Sequence, residues 1–298
     1  MKVDVGIVIV GLNARDFVRQ CVESLMRAEW RACTYEVGYV DNGSTDGTPQ
    51  MLRERFPAVK VLANEKNLGF CKAANQGTCA VDARYYFFLN DDTIVLDDAI
   101  CTLVEWMDTE PRVGISASRL FYPDMREQYS GRSFPSPVNA IFGRRSVLSR
   151  LFPNSAILKR YLKSDHLAAG TPFPVDWVSA AAMMVRATTF EELGGLCEEF
   201  YYWHEAVFCD RAHKRGWKVM LHPKSRIIHY EGFGSGKRPY AVRKWHIIDF
   251  HKAAYRCYCE HYELSRFSLL RVVAAVGLGM RATSLLLANR LSTLVSGA

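Results

Sequence analysis

Four short apolar runs, each passing directly into a polar loop, constrain this chain more than any other feature. "VDVGIVIV" leads into "GLN" (11–13) and "YEVGYV" into "DNGSTDGT" (41–48). "VKVLAN" leads into "NEKNLGF" (64–70), and "YYFFLN" into "NDDT" (90–93). Short runs rich in β-branched and aromatic residues read as strands. Helical spacing fills the gaps between them. Val18, Val22 and Leu25 share one face of a helix over 14–27, and Thr48 followed by Pro49 predicts an N-cap and a first helical residue. A helix over 70–81 and another running from a cap at Asp97 to Met107 continue the alternation. Strands alternating with helices specify an α/β fold with an open, mostly parallel sheet. Ligands of such sheets bind beyond the carboxyl ends of the strands, where all four polar loops fall.

The rhythm stops over residues 118–175, which hold six prolines and read as long loops with short elements. Between residues 130 and 164 there are seven Lys/Arg and no acid. Regular pattern returns at "VDWVSAAAMMVR", in a helix over 205–215 and in a strand at "KVMLH". At 298 residues, 49% hydrophobic and 23% charged, the chain can bury a full core and does not have the composition of a disordered protein.

The net charge of +7 is concentrated at one end. Residues 237–298 contain ten Lys/Arg against Asp249, Glu260 and Glu263, while the remaining 236 residues carry 28 bases and 28 acids. A balanced body argues against nucleic acid as partner. The opening "MKVDVGIVIVG" reads as a strand and not a signal peptide. Nine cysteines without paired or metal-like spacing point to a reducing, cytoplasmic setting.

Asp91 and Asp92 stand where the greasiest strand ends, so each must be solvated, paired with a cation or bound to metal. Neither a G-x-G-x-x-G after the first strand nor a G-x-x-x-x-G-K-[ST] is present, so no dinucleotide or P-loop cradle is indicated. An acidic site can still hold a nucleotide diphosphate when a divalent cation, Mg²⁺ or Mn²⁺, lies between carboxylate and phosphate.

The ordered series "IVIVGLN", "VDNGSTDGT", "NEKNLGF…AAN", "FFLNDDT", "VDWVSAA", "HEAVFCDRAHKRGW" and "IIHYEGFGSG" resembles family 2 glycosyltransferases of the GT-A fold, especially their rhamnosyltransferase-like branch. The resemblance spans residues 3–236. It implies inverting sugar transfer from a nucleotide-diphosphate donor to a glycan or lipid-linked acceptor in polysaccharide assembly. It places Asp41 near the base, Asn67 and Lys72 along the nucleotide, Asp91 near the ribose and Asp92 as the metal ligand of a D-x-D-type motif. Asn90 occupies the first position of that motif, so one metal carboxylate is expected from it. His229 matches a position that adds a metal or phosphate contact, and Trp177 one that lines the sugar or acceptor pocket. In the segment where the family reads E-D-x-D, His204 replaces the first acid, Glu205 the catalytic aspartate and Val207 the last. Glu205 keeps a carboxylate for general-base work, with His204 as the alternative base.

Two rival functions follow from the same residues. Ala206 and Val207 would suit a catalytically impaired sugar-nucleotide-binding subunit. A nucleotidyltransferase would need a Gly- and Arg-rich loop where "VGLNARDF" stands. The division expected is a catalytic domain over 1–236 and a basic helical tail over 237–298. In the tail, Trp245, Ile248, Tyr255 and Tyr262 recur at near-helical spacing. The segment 267–287 is apolar but interrupted by Arg271 and Arg281, which do not fall on one face, and its longest uncharged stretch reads as too short to span a bilayer. An anionic membrane surface, the body itself or a second copy of the chain are the contacts this composition suits.

Overall fold

The structure, a computed structural model, describes residues 2–134, 136, 152, 155–231 and 240–296. Strand β1 (Val3–Gly11) is followed by α1 (Arg15–Arg27), β2 (Tyr35–Asp41), α2 (Thr48–Arg55), β3 (Lys60–Ala63), α3 (Phe70–Cys79) and β4 (Ala83–Asn90). Next come β5 (Thr93–Val95), α4 (Ala99–Thr109), β6 (Val113–Phe121), β7 (Glu127–Gln128), β8 (Gly131–Arg132) and the short helix α5 (Ala156–Leu162). The second half holds β9 (Phe173–Pro174), β10 (Trp177–Val178), β11 (Ala182–Arg186), α6 (Ala187–Leu193), α7 (His204–Lys214) and β12 (Lys218–His229). It ends in two long helices, α8 (Tyr240–His261) and α9 (Leu269–Ser296).

The main sheet runs β3-β2-β1-β4-β11-β6-β12-β5, with β7 on β6 and β9 on β12. Its first four strands and the β6–β12 pair are parallel, while β11 and β5 are antiparallel to their neighbours. This is the mixed, mostly parallel sheet that the alternation specifies. Both faces are covered, which explains why β4 is greasy throughout: Tyr85, Phe87 and Leu89 enter one core cluster and Phe88 the other. Register aligns the strand ends, with Gly11 opposite Asp41 and Val10 opposite Asn90.

Several local expectations are corrected. The α2 start is not capped by Thr48: Gly47 holds the cap position, and the Asp46 carboxylate accepts from Thr48 N (3.0 Å) and Thr48 Oγ1 (2.6 Å). Asp97 does not cap α4, which begins after Asp98. Asp97 instead pairs with Arg226 at 2.6 Å. The strand expected at "KVMLH" extends to His229, passing Pro223 at a register shift between His222 and Arg226, where a missing N–H breaks no ladder.

The basic end is two different helices. Helix α8 joins the body, sending Ala253 and Cys257 into the second core cluster and Arg256 over the Phe200 ring. Two residues of α7 tie it down: Asp210 accepts from His261 (2.7 Å), and Lys214 donates to Glu260 O (3.1 Å). Helix α9 packs along α8, and Arg271 hydrogen-bonds Tyr255 of α8 at 3.2 Å. The residues Leu269–Arg290 are long and apolar enough to cross a membrane by length and composition, and none of this stretch is buried.

Candidate active site

Three of the four polar loops are laced into one surface by their own side chains. Asn13, at φ +52° after β1, accepts from Thr45 N at 2.8 Å and donates its backbone N–H to Ser44 Oγ. Buried Asn42, after β2, accepts from Asn64 and Leu68 N and donates to Gly69 O. Short Asn and Asp side chains mimic backbone turns, which is why these loops are rich in them.

Asp41 is buried at the end of β2. Its Oδ2 accepts from Gly43 N (3.1 Å) and Ser44 N (2.8 Å), while Oδ1 is buried with no partner among the described residues. A buried orphan acceptor in a ligand crevice is a contact that a ligand can complete. Asn67 closes its own loop by accepting from Gly69 N at 2.8 Å. Lys72 is exposed in the first turn of α3 and makes no ion pair with the described residues.

Asp91 lies against Gly11, whose missing side chain matters: a Cβ there would fall 2.7 Å from Asp91 Oδ2 and collide with the Tyr39 hydroxyl. Burial, and then the neighbouring Asp92 charge, push the Asp91 carboxyl up to about 8. Burial, then Asp91 and Asp41, raise the Tyr39 phenol as well, and its hydroxyl has no partner among the described residues. Tyr39 is a site residue that sequence reading missed, because a tyrosine inside "YEVGYV" reads as strand core.

Asp92 and His229 are 137 positions apart and meet at the mouth of the sheet. Tyr230 N donates to Asp92 O at 2.9 Å, and His229 Nε2 lies 3.2 Å from Asp92 Oδ1. Asn90 Nδ2 also approaches His229 Nε2 at 3.2 Å. On its other side His229 Nδ1 is 2.6 Å from Gln128 Oε1, a pure acceptor, so Nδ1 donates; in the neutral ring Nε2 then carries the lone pair. In that form the lone pair and the Asp92 carboxylate oxygen, 3.2 Å apart, can share one cation. Two ligands on one octahedral ion at about 2.1 Å each stand about 3 Å apart, so the pair fits Mg²⁺ or Mn²⁺. No cluster of three His, Cys, Asp or Glu ligands occurs among the described residues. Such an ion would therefore take its remaining contacts from phosphate and water, as these cations commonly do.

His204 and Glu205 open α7 beside the α3 loop. The His204 ring sits 5.0 Å from Phe70, and its Nδ1 donates to Tyr201 O at 3.2 Å. Its buried Nε2 has no partner among the described residues. Glu205 is half-buried in the first turn, where the helix N-terminus favours a carboxylate. Trp203, just before them, is held at φ +66°, a strained conformation for a bulky residue.

Trp177 does not stand as an open pocket wall. It is 5% exposed, donates to Ser133 O at 2.9 Å, and packs between Arg132 and Trp203. The "GFGSG" run after His229 and most of the basic loop 130–164 lie outside the described residues.

The fold is that of GT-A sugar-nucleotide transferases. A mannosyltransferase from Pyrobaculum calidifontis, solved with GDP-Man and Mn²⁺, superposes with a TM-score of 0.59 at 16% identity, covering 99% of this chain and 81% of that one. GalNAc-T7, solved with UDP, GalNAc and Mn²⁺, gives 0.61 at 15% identity, covering 93% and 55%. The model of "Glycosyl transferase family 2" matches residues 6–173, and the chain belongs to that family of inverting transferases that use nucleotide-sugar donors. It is 30% identical over 227 residues to the N-acetylglucosaminyl-diphospho-decaprenol L-rhamnosyltransferase of Mycobacterium tuberculosis, covering 72% of this chain and 71% of the relative.

Proposed function

We propose that the chain transfers a sugar, with rhamnose the first candidate, from a nucleotide diphosphate to a hydroxyl of a lipid-linked glycan, with a divalent metal held by Asp92 and His229. The observation that carries this reading is the Asp92–His229 pair, 3.2 Å apart at the strand ends where four polar loops gather. The acceptor hydroxyl attacks the anomeric carbon as the bond to the diphosphate oxygen breaks, and Glu205 takes the hydroxyl proton. Lys72 and the loop amides receive the charge that develops on the leaving diphosphate. A bound Mg²⁺ or Mn²⁺ would supply further neutralisation of that charge. Asp41 and Asp91 accept the nucleoside. His204 is the second candidate base, because its orphan Nε2 is an acceptor.

A lipid-linked acceptor is supported by the mycobacterial relative's substrate and by a basic cleft. Lys159, Arg160, Lys163 and His166, together with Ala156 and Asp165, line about 550 Å³; the cations outnumber the one acid, which suits a pyrophosphate. For the basic tail, the boundary at 236 and peripheral membrane docking stay in the proposal, with a changed seat. Tyr258 is buried and Tyr255 is bonded to Arg271, so neither faces lipid. The docking face is instead on α9, where Leu269, Val273, Val276, Met280 and Leu287 are exposed along one side.

The experiment is calorimetry with nucleotide sugars and Mn²⁺, then turnover on a polyprenyl-diphosphate-linked glycan. Donor binding without turnover on any acceptor would favour the impaired-subunit reading suggested by Ala206 and Val207. Co-sedimentation with anionic vesicles tests docking. Val276→Glu together with Met280→Glu should abolish it, and a wild-type protein that ignores vesicles at low salt would overturn it in favour of an oligomer contact.

A further inference from the structure

Gln128 belongs to none of the recognisable motifs and sits on a two-residue strand in the irregular middle of the chain, yet it is 3% exposed. Its position follows from the sheet. Gln128 pairs with Leu120 of β6, whose other neighbour is Ile227 of β12, two residues before His229. This brings the amide against the imidazole: Oε1 lies 2.6 Å from His229 Nδ1, and Nε2 lies 3.3 Å from Glu231 Oε2. The same carboxylate oxygen accepts from the Tyr122 hydroxyl at 3.1 Å.

The donor and acceptor roles along this chain of contacts admit one order. An ionised carboxylate only accepts, so Glu231 takes the N–H side of the Gln128 amide. The amide is planar, so its oxygen then faces His229 and can only accept. His229 Nδ1 must therefore carry a proton, and in the neutral ring the Nε2 lone pair is directed at Asp92 and Asn90. In water a neutral imidazole favours the opposite tautomer, with the proton on Nε2, which would block ligation. A glutamine is suited to this task because it is the neutral side chain that accepts at one end and donates at the other. It fixes the ring without adding a second negative charge beside Asp92.

We infer that Gln128 and Glu231 are positioning residues for the metal: Glu231 sets the Gln128 amide, and Gln128 sets the His229 tautomer that can ligate. This rests on the metal reading of the Asp92–His229 pair. Partners behind a ligating histidine commonly change metal affinity by about 10–100-fold.

The first measurement needs neither variant nor metal. Nitrogen-15 spectra of histidine-labelled full-length protein should show His229 protonated at Nδ1 and bare at Nε2, and a bare Nδ1 or a doubly protonated ring overturns the inference. The second is titration with Mn²⁺ alone and with Mn²⁺ plus a nucleoside diphosphate. Gln128→Ala should weaken Mn²⁺ binding by about 10–100-fold, with nucleoside diphosphate binding in the absence of metal unchanged as the check on folding. The paired change Gln128→Glu with Glu231→Gln keeps an acceptor toward His229 and reverses the outer contact, so it should restore most of the affinity. Unchanged affinity in Gln128→Ala overturns the positioning role. A wild-type protein that binds no Mn²⁺ removes the metal reading instead, and the tautomer spectrum still decides the role of Gln128.

Discussion

At the corner where β4 meets β12, His229 has both ring nitrogens engaged, Gln128 uses both ends of its amide, and the Asp92 backbone is fastened to Tyr230. At the loop that opens α7, the pattern reverses. Trp203 is backbone-strained with its indole N–H buried and unpartnered among the described residues, and His204 Nε2 is buried in the same state. Unmet buried polar groups are costly, of order 1–3 kcal/mol each, so they persist where a ligand completes them. On the proposed function the Asp92–His229–Gln128 contacts are pre-built by the protein, whereas the α7 edge, like Asp41 Oδ1 and the Tyr39 hydroxyl, is left for a ligand to complete. Substitutions at the first should change metal and donor binding, and those at the second should change turnover.

The largest expected effect is at the pre-built corner. Asp92→Asn, or excess chelator on the unaltered protein, should lower transfer by on the order of a thousandfold and weaken Mn²⁺-dependent donor binding in calorimetry. Full activity in chelator would break the comparison, because the corner would then have no metal to be built for. Next comes the acceptor edge. Glu205→Gln should lower turnover by about a hundredfold or more while donor affinity stays within a few-fold. If His204→Ala is the inactive variant and Glu205→Gln retains turnover, the base is His204 and its orphan Nε2 is the accepting atom.

The contrast also explains what could be read from the sequence. The succession of strands and helices from β1 to β4 was legible because apolar runs of period two and helical runs of period 3.6 act locally, residue by residue. So were Asp41, Asp91 and Asp92, since they sit at strand ends that the same pattern locates. Two boundaries shifted because capping is decided by single hydrogen bonds: Asp46 takes the Thr48 donors, and Asp97 turns to Arg226. The contacts of His229 with Asp92 and Gln128 were beyond reach, since they depend on how β12, β6 and β7 align across more than a hundred residues. Gln128 carried no signal at all: an amide in a proline-rich stretch has no periodicity to mark it. Helix α9 misled for a related reason. Arg271 counts as an exposed charge in the sequence, but tertiary contact turns it onto Tyr255 and leaves the outer side apolar.

A smaller effect tests how tightly the donor corner is filled. Gly11→Ala places a methyl group between Tyr39 and Asp91, and overpacking of this kind costs about 1–3 kcal/mol. Nucleotide-sugar affinity should fall by about 10–100-fold, with Glu205-dependent proton transfer unaffected once the donor is saturating. An unchanged donor affinity would mean that Asp91 and Tyr39 stand outside the nucleotide site.

The smallest effect on transfer, and the most direct reading of the donor corner's electrostatics, is the pH dependence of stability. Burial and the adjacent Asp92 raise the Asp91 carboxyl to about 8, against about 3.9 in an unfolded chain. Between those values the folded state keeps a proton that the unfolded state has released. The protein is then favoured at the low end of the window, and that stability is lost as pH rises toward 8. The slope has an upper bound of about 1.4 kcal/mol per pH unit. Denaturant titrations of the metal-free protein should therefore show declining stability from about pH 5 to about pH 8. Asp91→Asn, which cannot ionise, should flatten that decline. The comparison is Glu205→Gln, at the other edge and away from the Asp91–Asp92 pair. An equal change of slope in both variants would show that the two edges share one electrostatic environment, and the division between a pre-built corner and a substrate-completed edge would fail.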